Sequence, residues 1–290
     1  MSDSQEPHKY KHPSTYIVQD RQSEKEMRRL TIQDQLTTRI MGGVLPEQAN
    51  PSSFQRILDI GCGTGNWAIQ TARTYPTISL AGIDISKPMI EHARAQAAIQ
   101  QVADRTEFRV MDALLILEFP SNTFDMVNLR FGASFVRTWE WPKMLSEMQR
   151  VLRPEGVVRV TDVELAHESS SPALLQLLRM LICAFSRGGS YFEQVPTGMT
   201  AHLAPILTQY GCQDVQTKAY SFEYVAGTAE WQEFYDDMAL AFQTLQPFLQ
   251  KQGCAPKDYN AIYQQALIEM QQPDFRATWN YLTAWGKTPV

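Results

Sequence analysis

The chain lacks most features that would settle its class by themselves. Only four of its 290 residues are cysteine: Cys62, Cys183, Cys212 and Cys254, widely separated and with no C-x-x-C pair. That pattern gives no support to a zinc site and predicts reduced thiols in a cytoplasmic protein rather than a disulfide frame. Positive charge is not in excess. Lys and Arg number 26 against 31 Asp and Glu, a formal charge of −5, which argues against a nucleic-acid substrate and its usual basic footprint. No apolar run is long enough to span a bilayer. The longest, LLQLLRMLICAF at 174–185, is short and interrupted by Arg179. It reads as a buried or interface helix, which leaves a homodimer open. The first residues, MSDSQEPHKYKHPS, have no apolar core of a secretory signal. Internal repeats, low-complexity tracts and metal-ligand clusters are all absent from the sequence, so no metal site is expected.

What is present is an ordinary globular balance, 44% apolar and 20% charged, in a length that suits one large α/β domain or one with a sizeable insertion. Residues 1–15 are polar, with Pro7 and Pro13, and read as a disordered tail. Residues 23–43 predict a helix, with Ser23 and Glu26 at capping-box spacing and Gly42 and Gly43 as its stop. After a linker at 46–54, strands are expected at 56–60, 79–85, 106–112, 124–131 and 157–164. Helices are expected from Asn66, from Ser86 and over about 142–152. This alternation implies a parallel sheet with helices on both faces. The later chain predicts a helix at 172–186, a glycine-rich loop at 187–200, a helix at 202–211 and a strand at 215–227. Two helices within 228–273 and a last strand at 275–287 complete it.

The most informative stretch is LDIGCGTGNWA at 58–68. A buried strand breaks into Gly61, Gly63 and Gly65 and then enters a helix. Strand, glycine turn and helix let a backbone approach a ligand at the carboxyl end of a sheet. Asp59 stands just ahead of the glycines, where its carboxylate can order the turn and attract a cation. Asp84 closes the second strand about 20 residues later, the spacing of a carboxylate that accepts from two ribose hydroxyls. Asp112 closes the third strand. A nicotinamide dehydrogenase would also use a glycine turn and an acidic strand end. Here, however, the glycines run G-x-G-x-G, Asp59 precedes them where a pyrophosphate would be repelled, and Asp112 has no task.

The acidic-x-Gly-x-Gly-x-Gly pattern, with Asp84 and Asp112 in order, resembles the class I S-adenosylmethionine-dependent methyltransferases. The resemblance covers roughly 56–165 by ordered motifs. EMQRVLRPEGVVRVTDVE at 147–164 is similar to the quinone-biosynthesis C-methyltransferases and related natural-product enzymes, although Glu155 stands where a second glycine is common. It implies a Rossmann-like, seven-stranded, mostly parallel sheet whose last strand runs antiparallel, with helices on both faces, a helical cap and an N-terminal helical lid. The expected divisions are a tail and lid helix (1–45), a cofactor-binding core (46–165, continued at 201–227 and 274–290) and two cap insertions (166–200 and 228–273). The implied cofactor is S-adenosyl-L-methionine. Gly61, Cys62 and Gly63 in the turn, and Asn66 and Trp67 at the helix start, would stand beside it. Ile85 and Met89 would flank the adenine, Asp112 and the Ala113 N–H would read it, and Asn128, Leu129 and Arg130 would meet the methionine portion. Similar enzymes fold an N-terminal segment over the cofactor, which brings in Tyr16, Arg29 and Gln33. Arg29 and Gln33 share one helix face.

Methyl transfer needs mainly proximity and alignment, and a base only where the acceptor's proton must leave early. The tetrapeptide of the amino-methylating DNA enzymes is absent, with NLRF in its place. Candidates for chemistry are Glu164 and His167 after the fifth strand and Tyr191 in the following loop, with Glu193 and His202 nearby. Trp231, Phe234, Tyr235, Met238 and Phe242 recur at three- and four-residue spacing and form one helical stripe. An acidic protein with so apolar a cap suits a hydrophobic small-molecule acceptor. O-, N- and C-methylation stay open, as does a protein that binds the cofactor without transfer.

Overall fold

A computed structural model describes residues 16–18 and 24–289, apart from the side chains of Ala166 and His167. The expected tail at 1–15 and the capping residue Ser23 lie outside the described residues. The chain runs through α1 (Glu24–Ile40), β1 (Arg56–Ile60), α2 (Asn66–Thr74), β2 (Ser79–Asp84), α3 (Lys87–Ile99), β3 (Thr106–Val110), β4 (Phe124–Arg130), α4 (Trp141–Val151) and β5 (Leu152–Ser169). It continues with α5 (Pro172–Arg187), α6 (Thr200–Gln209), β6 (Gln213–Val225), α7 (Ala229–Thr244), α8 (Gln246–Lys251), α9 (Tyr259–Glu269) and β7 (Arg276–Lys287).

The seven strands form one sheet in the order β3-β2-β1-β4-β5-β7-β6. Strands β1 to β5 are parallel, and β7 inserts antiparallel between β5 and β6. RILDI is central because a strand covered on both faces must be apolar nearly throughout, and Ile57, Leu58 and Ile60 are fully buried. One core lies between the sheet and α2–α3, around Trp67, Ile69 and Ile90. The other holds α4, α5 and α7 against the opposite face, around Trp141, Leu177 and Phe234. Strand order reverses between β1 and β4, and ligands of open α/β sheets bind at such a point.

Three expectations are corrected. The aromatic-rich helix does not run on through LQPFLQ. It stops at Leu245, and Pro247, which has no N–H to give, opens a separate helix. Strand β5 is longer than predicted at both ends: Leu152 already pairs with Phe124 of β4, and β7 pairs with it as far as Ser169. Glu26 has partners that its capping-box spacing with Ser23 does not suggest. It is wholly buried and accepts from Tyr16, Arg29 and Thr244. Cys183 and Cys254 are joined in a disulfide. Their separation of 71 residues conceals that the segment after α8 returns to α5. That finding removes the reduced-thiol argument for a cytoplasmic setting; Cys62 and Cys212 remain free. The apolar face of the 174–185 run is buried within the chain itself. Among the described residues no helix is long and apolar enough to cross a membrane.

Candidate active site

The glycine turn is built by backbone conformation. Gly61, Gly63 and Gly65 have φ of +65°, +51° and +76°, a region that side chains disfavour. Their surroundings differ. A Cβ on Gly61 would lie 2.9 Å from the Phe135 ring, and one on Gly65 would lie 2.7 Å from the Ala93 Cβ. A Cβ on Gly63 would find only Leu30, at 3.9 Å. Two glycines thus permit packing, and the third faces open space. Asp84 fastens the turn to the end of β2. Its Oδ2 accepts from the Gly63 N–H at 3.1 Å and its Oδ1 from the Ser86 N–H at 2.8 Å. Asp112 Oδ1 accepts from the Leu114 N–H at 3.0 Å and so shapes the turn after β3.

These strand ends open on a cavity of about 670 Å³. Gly61, Gly63, Asp84, Ile85, Met89, Asp112 and Ala113 line one end; Tyr16, Arg29 and Gln33 border it from the α1 side. The opposite end is aromatic and aliphatic: Leu178, Leu181 and Phe185 of α5, Phe234, Met238 and Phe242 of α7, and Trp279 of β7. The predicted stripe therefore divides. Phe234, Met238 and Phe242 face the cavity, whereas Trp231 donates to the Met270 carbonyl and Tyr235 accepts from Gln271 on the α9 side. Tyr191 lines the cavity and stacks on Phe185 with ring centroids 5.0 Å apart.

Charged groups in the wall are held in pairs. Arg29 donates to Glu26 from Nε at 2.9 Å and Nη2 at 2.8 Å, and to Asp237 at 3.4 Å. Burial works against the guanidinium charge, but Glu26 and then Asp237 outweigh it and raise the Arg29 pKa. Burial pushes Asp237 up to about 6 against the pull of Arg29. Burial and the neighbouring Glu26 push the Tyr16 phenol up. Arg130 also lines the cavity, where it pairs with Asp34 and donates to Thr38. Asp162, 2% exposed, accepts from the Ala133 N–H at 3.1 Å and the Val163 N–H at 2.9 Å. Burial pushes it up to about 6.

Several predicted residues do not reach the cavity wall. The Asp59 carboxylate does not order the turn; it accepts from Asn128 Nδ2 at 2.8 Å. Asn128 accepts in turn from Arg159 at 2.6 Å, and Arg159 donates to Glu47 at 2.7 Å. Burial pushes Asp59 up to about 7, opposed by the Asn128 bond and by Arg159. Asn66 donates to Thr64, and Trp67 is buried and donates to the Val44 carbonyl. The Cys62 N–H holds the Ile83 carbonyl, and Leu129 is core. Glu164 accepts from Thr200. His167 belongs to β5, its side chain outside the description. His202 stacks on Phe192, next to Glu193. The prediction missed Asp162, Glu26 and Asp237. The strand-end rule that found Asp84 and Asp112 points equally to Asp162, which follows the last β4–β5 pair, Arg130 with Thr161.

Residues 57–156 match a protein family described as a methyltransferase domain. The chain is 37% identical over 108 residues to a demethylmenaquinone methyltransferase of Lactiplantibacillus plantarum, a span of 37% of this chain and 44% of that protein. It is 28% identical over 197 residues to a demethylmenaquinone methyltransferase of a Geobacillus species, covering 62% of this chain and 80% of the relative. The first match thus spans less than half of the relative's length. Among solved structures, the YcgJ protein from Bacillus subtilis shares the fold, with a TM-score of 0.51 over 81% of this chain and 92% of that one at 18% identity.

Proposed function

We propose that this chain, whose residues 57–156 match a methyltransferase domain, is a class I enzyme that transfers a methyl group from S-adenosylmethionine to a hydrophobic small molecule. One observation carries the reading. A single cavity has a polar end made of β-strand termini and an apolar end made of aromatic side chains. Two chemically different ligands suit those two ends. The residues of the polar end fit the cofactor. Gly63 leaves room where any side chain would intrude. Asp84, fixed by two backbone donors, presents a carboxylate suited to ribose hydroxyls. Asp112 and the Ala113 N–H suit the adenine, with Ile85 and Met89 beside it.

S-adenosylmethionine would supply an electrophilic methyl group on its sulfonium. The protein's own work is to align the two ligands and keep out water. Arg29 is already matched by two carboxylates, so its part is to shape the wall, and Gln33 on the same face is left to meet the methionine carboxylate. Phe185, Phe234, Met238 and Phe242 would hold the acceptor by apolar burial, at about 25 cal/mol for each Å² removed from water. Relatives named for demethylmenaquinone support an apolar acceptor.

The test pairs calorimetric titration with S-adenosylhomocysteine and label transfer from methyl-labelled cofactor to a panel of phenols, quinols and isoprenoid alcohols. RNA, DNA and a basic peptide serve as contrasts. The expected result is tight cofactor binding and transfer to apolar acceptors. Efficient transfer to the polymers with none to the panel would overturn the reading.

A further inference from the structure

Asp162 stands apart from the residues that would hold either ligand. It is buried, yet it lines the cavity. Two backbone N–H groups hold both its oxygens. Among the described residues no lysine, arginine or histidine is paired with it. Its place is at the junction of the two ends. Ala133, which binds it, lies in the turn at 132–134, and Phe135, two residues on, fills the space beside Gly61. One short segment therefore touches the glycine turn on one side and Asp162 on the other. Tyr191 lines the same region, and after burial it is the Asp162 charge that most raises its pKa.

Resting on the methyl-transfer reading, we propose that Asp162 is the base for an aromatic hydroxyl on the acceptor. The hydroxyl oxygen forms the new bond to the methyl carbon. The carbon–sulfur bond breaks and leaves its electron pair on sulfur. The hydroxyl proton passes to the Asp162 carboxylate, which afterwards gives it to water.

The surroundings select this class of acceptor. Phe185 and Tyr191 stack on each other with planes inclined by only 20°, and the aromatic surface they give the cavity suits a flat ring. An ordinary carboxylate is a weak base near neutral pH; burial brings Asp162 to about 6, closer to the useful range. An ammonium acceptor would have no lone pair to attack with. It would also form an ion pair that lowers the basicity of Asp162. The other titratable groups around Asp162 are engaged elsewhere. Arg130 at the end of β4 is paired with Asp34, and Arg137, before α4, donates to Ser190. Glu140 accepts from the Arg137 N–H, Glu164 on the same strand accepts from Thr200, and Tyr281 of β7 accepts from Thr37. Asp237 of α7 belongs to the Arg29 cluster.

The experiment uses two hydroxyl probes, 2-naphthol and the far more acidic 4-nitrophenol, and one amine probe, phenethylamine. With wild-type protein, kcat for 2-naphthol should rise with pH and level off above about pH 6. Asp162→Asn should bind S-adenosylhomocysteine within twofold of wild type. At about pH 8, where 4-nitrophenol is mostly ionised and 2-naphthol is not, its kcat for 2-naphthol should fall by about 100-fold or more and that for 4-nitrophenol by less than about tenfold. Asp162→Glu should restore part of the 2-naphthol rate. The inflection should persist in Asp237→Asn, whatever that variant's rate. Equal losses on both hydroxyl probes, a flat wild-type pH profile, or an unimpaired Asp162→Asn would overturn the proposal. So would label that reaches the amine and neither hydroxyl, which leaves the methyltransferase reading standing. Failure of the wild-type protein to bind S-adenosylhomocysteine would overturn both.

Discussion

Replacing Asp84 by alanine should separate ligand binding from folding. The side chain accepts from the Gly63 and Ser86 N–H groups, both on the cavity wall. Without cofactor, water can replace those two bonds, so the folded protein should lose only about 1 kcal/mol, close to the net worth of one hydrogen bond. With the cofactor bound, the same carboxylate would accept from ribose hydroxyls, and water could no longer substitute. Charge-assisted bonds of that kind are worth about 2–3 kcal/mol together. That corresponds to a Kd weakened by about 30- to 150-fold. Asp84→Asn keeps an acceptor oxygen without the charge and should weaken binding by about tenfold. Calorimetry with S-adenosylhomocysteine measures the affinities, and urea unfolding without ligand measures the stabilities. A folded Asp84→Ala protein whose Kd stays within threefold of wild type would refute the assignment.

The glycines provide a second contrast. Gly65→Ala should lower the urea midpoint, since its Cβ would collide with Ala93 and Phe108, whereas Gly63→Val should chiefly abolish cofactor binding because its side chain enters the cavity. The pH dependence of stability follows from the buried carboxyls. Asp59 and Asp162 are raised from 3.8 to about 7 and about 6, so the folded chain holds their protons more tightly than the unfolded chain does. Stability should therefore fall as pH rises from about 4 to about 7 and then level off. Glu47, held low by Arg159 despite its burial, adds an opposite slope only below about 4.5. Urea midpoints at pH 5, 6 and 7 check this, and a steady rise across them would contradict it. Cys183→Ser opens a cross-link between residues 71 apart, worth about 4 kcal/mol in the chain-entropy picture, and should lower the melting temperature. The unfolded, unreduced wild-type chain should show two titratable thiols, from Cys62 and Cys212.

The order of strands and helices was legible because each signal is local. A run such as RILDI can only be a covered strand, and three glycines followed by NWAIQTA can only be a turn and a helix start. Asp84 and Asp112 were legible for a related reason: a strand end occupies a fixed place in an open sheet. Partnerships across the fold were not legible. Nothing local to Glu26 shows that it will be buried against Arg29 and Thr244, since Thr244 lies 218 residues away. The same holds for Asp59, whose carboxylate is turned by Asn128 and Arg159 on other strands. The break before α8 was visible in Pro247 but was outweighed by the aromatic periodicity around it.

The way the cavity wall is threaded decides which part of it can yield. Helix α5 leaves the sheet from β5 and the chain returns, through α6, to β6; α7 to α9 leave from β6 and return to β7. Both excursions are tethered at two ends, and the disulfide ties one to the other. Neither can swing without dragging strands. Helix α1 is different. It joins the sheet through 41–55, beginning at Gly42 and Gly43, whose φ values of +86° and +133° and empty surroundings make a ready pivot. What holds it down is mixed: the buried Glu26–Arg29–Asp237 cluster, the Ile17 N–H on the Ser134 carbonyl just before it, and the apolar Ile17, Val18 and Leu36, which are buried in the core. Opening this protein at the least cost therefore means exchanging a few charge-assisted hydrogen bonds for water and uncovering a few apolar side chains of this one segment, while the apolar wall that would grip an acceptor stays tethered.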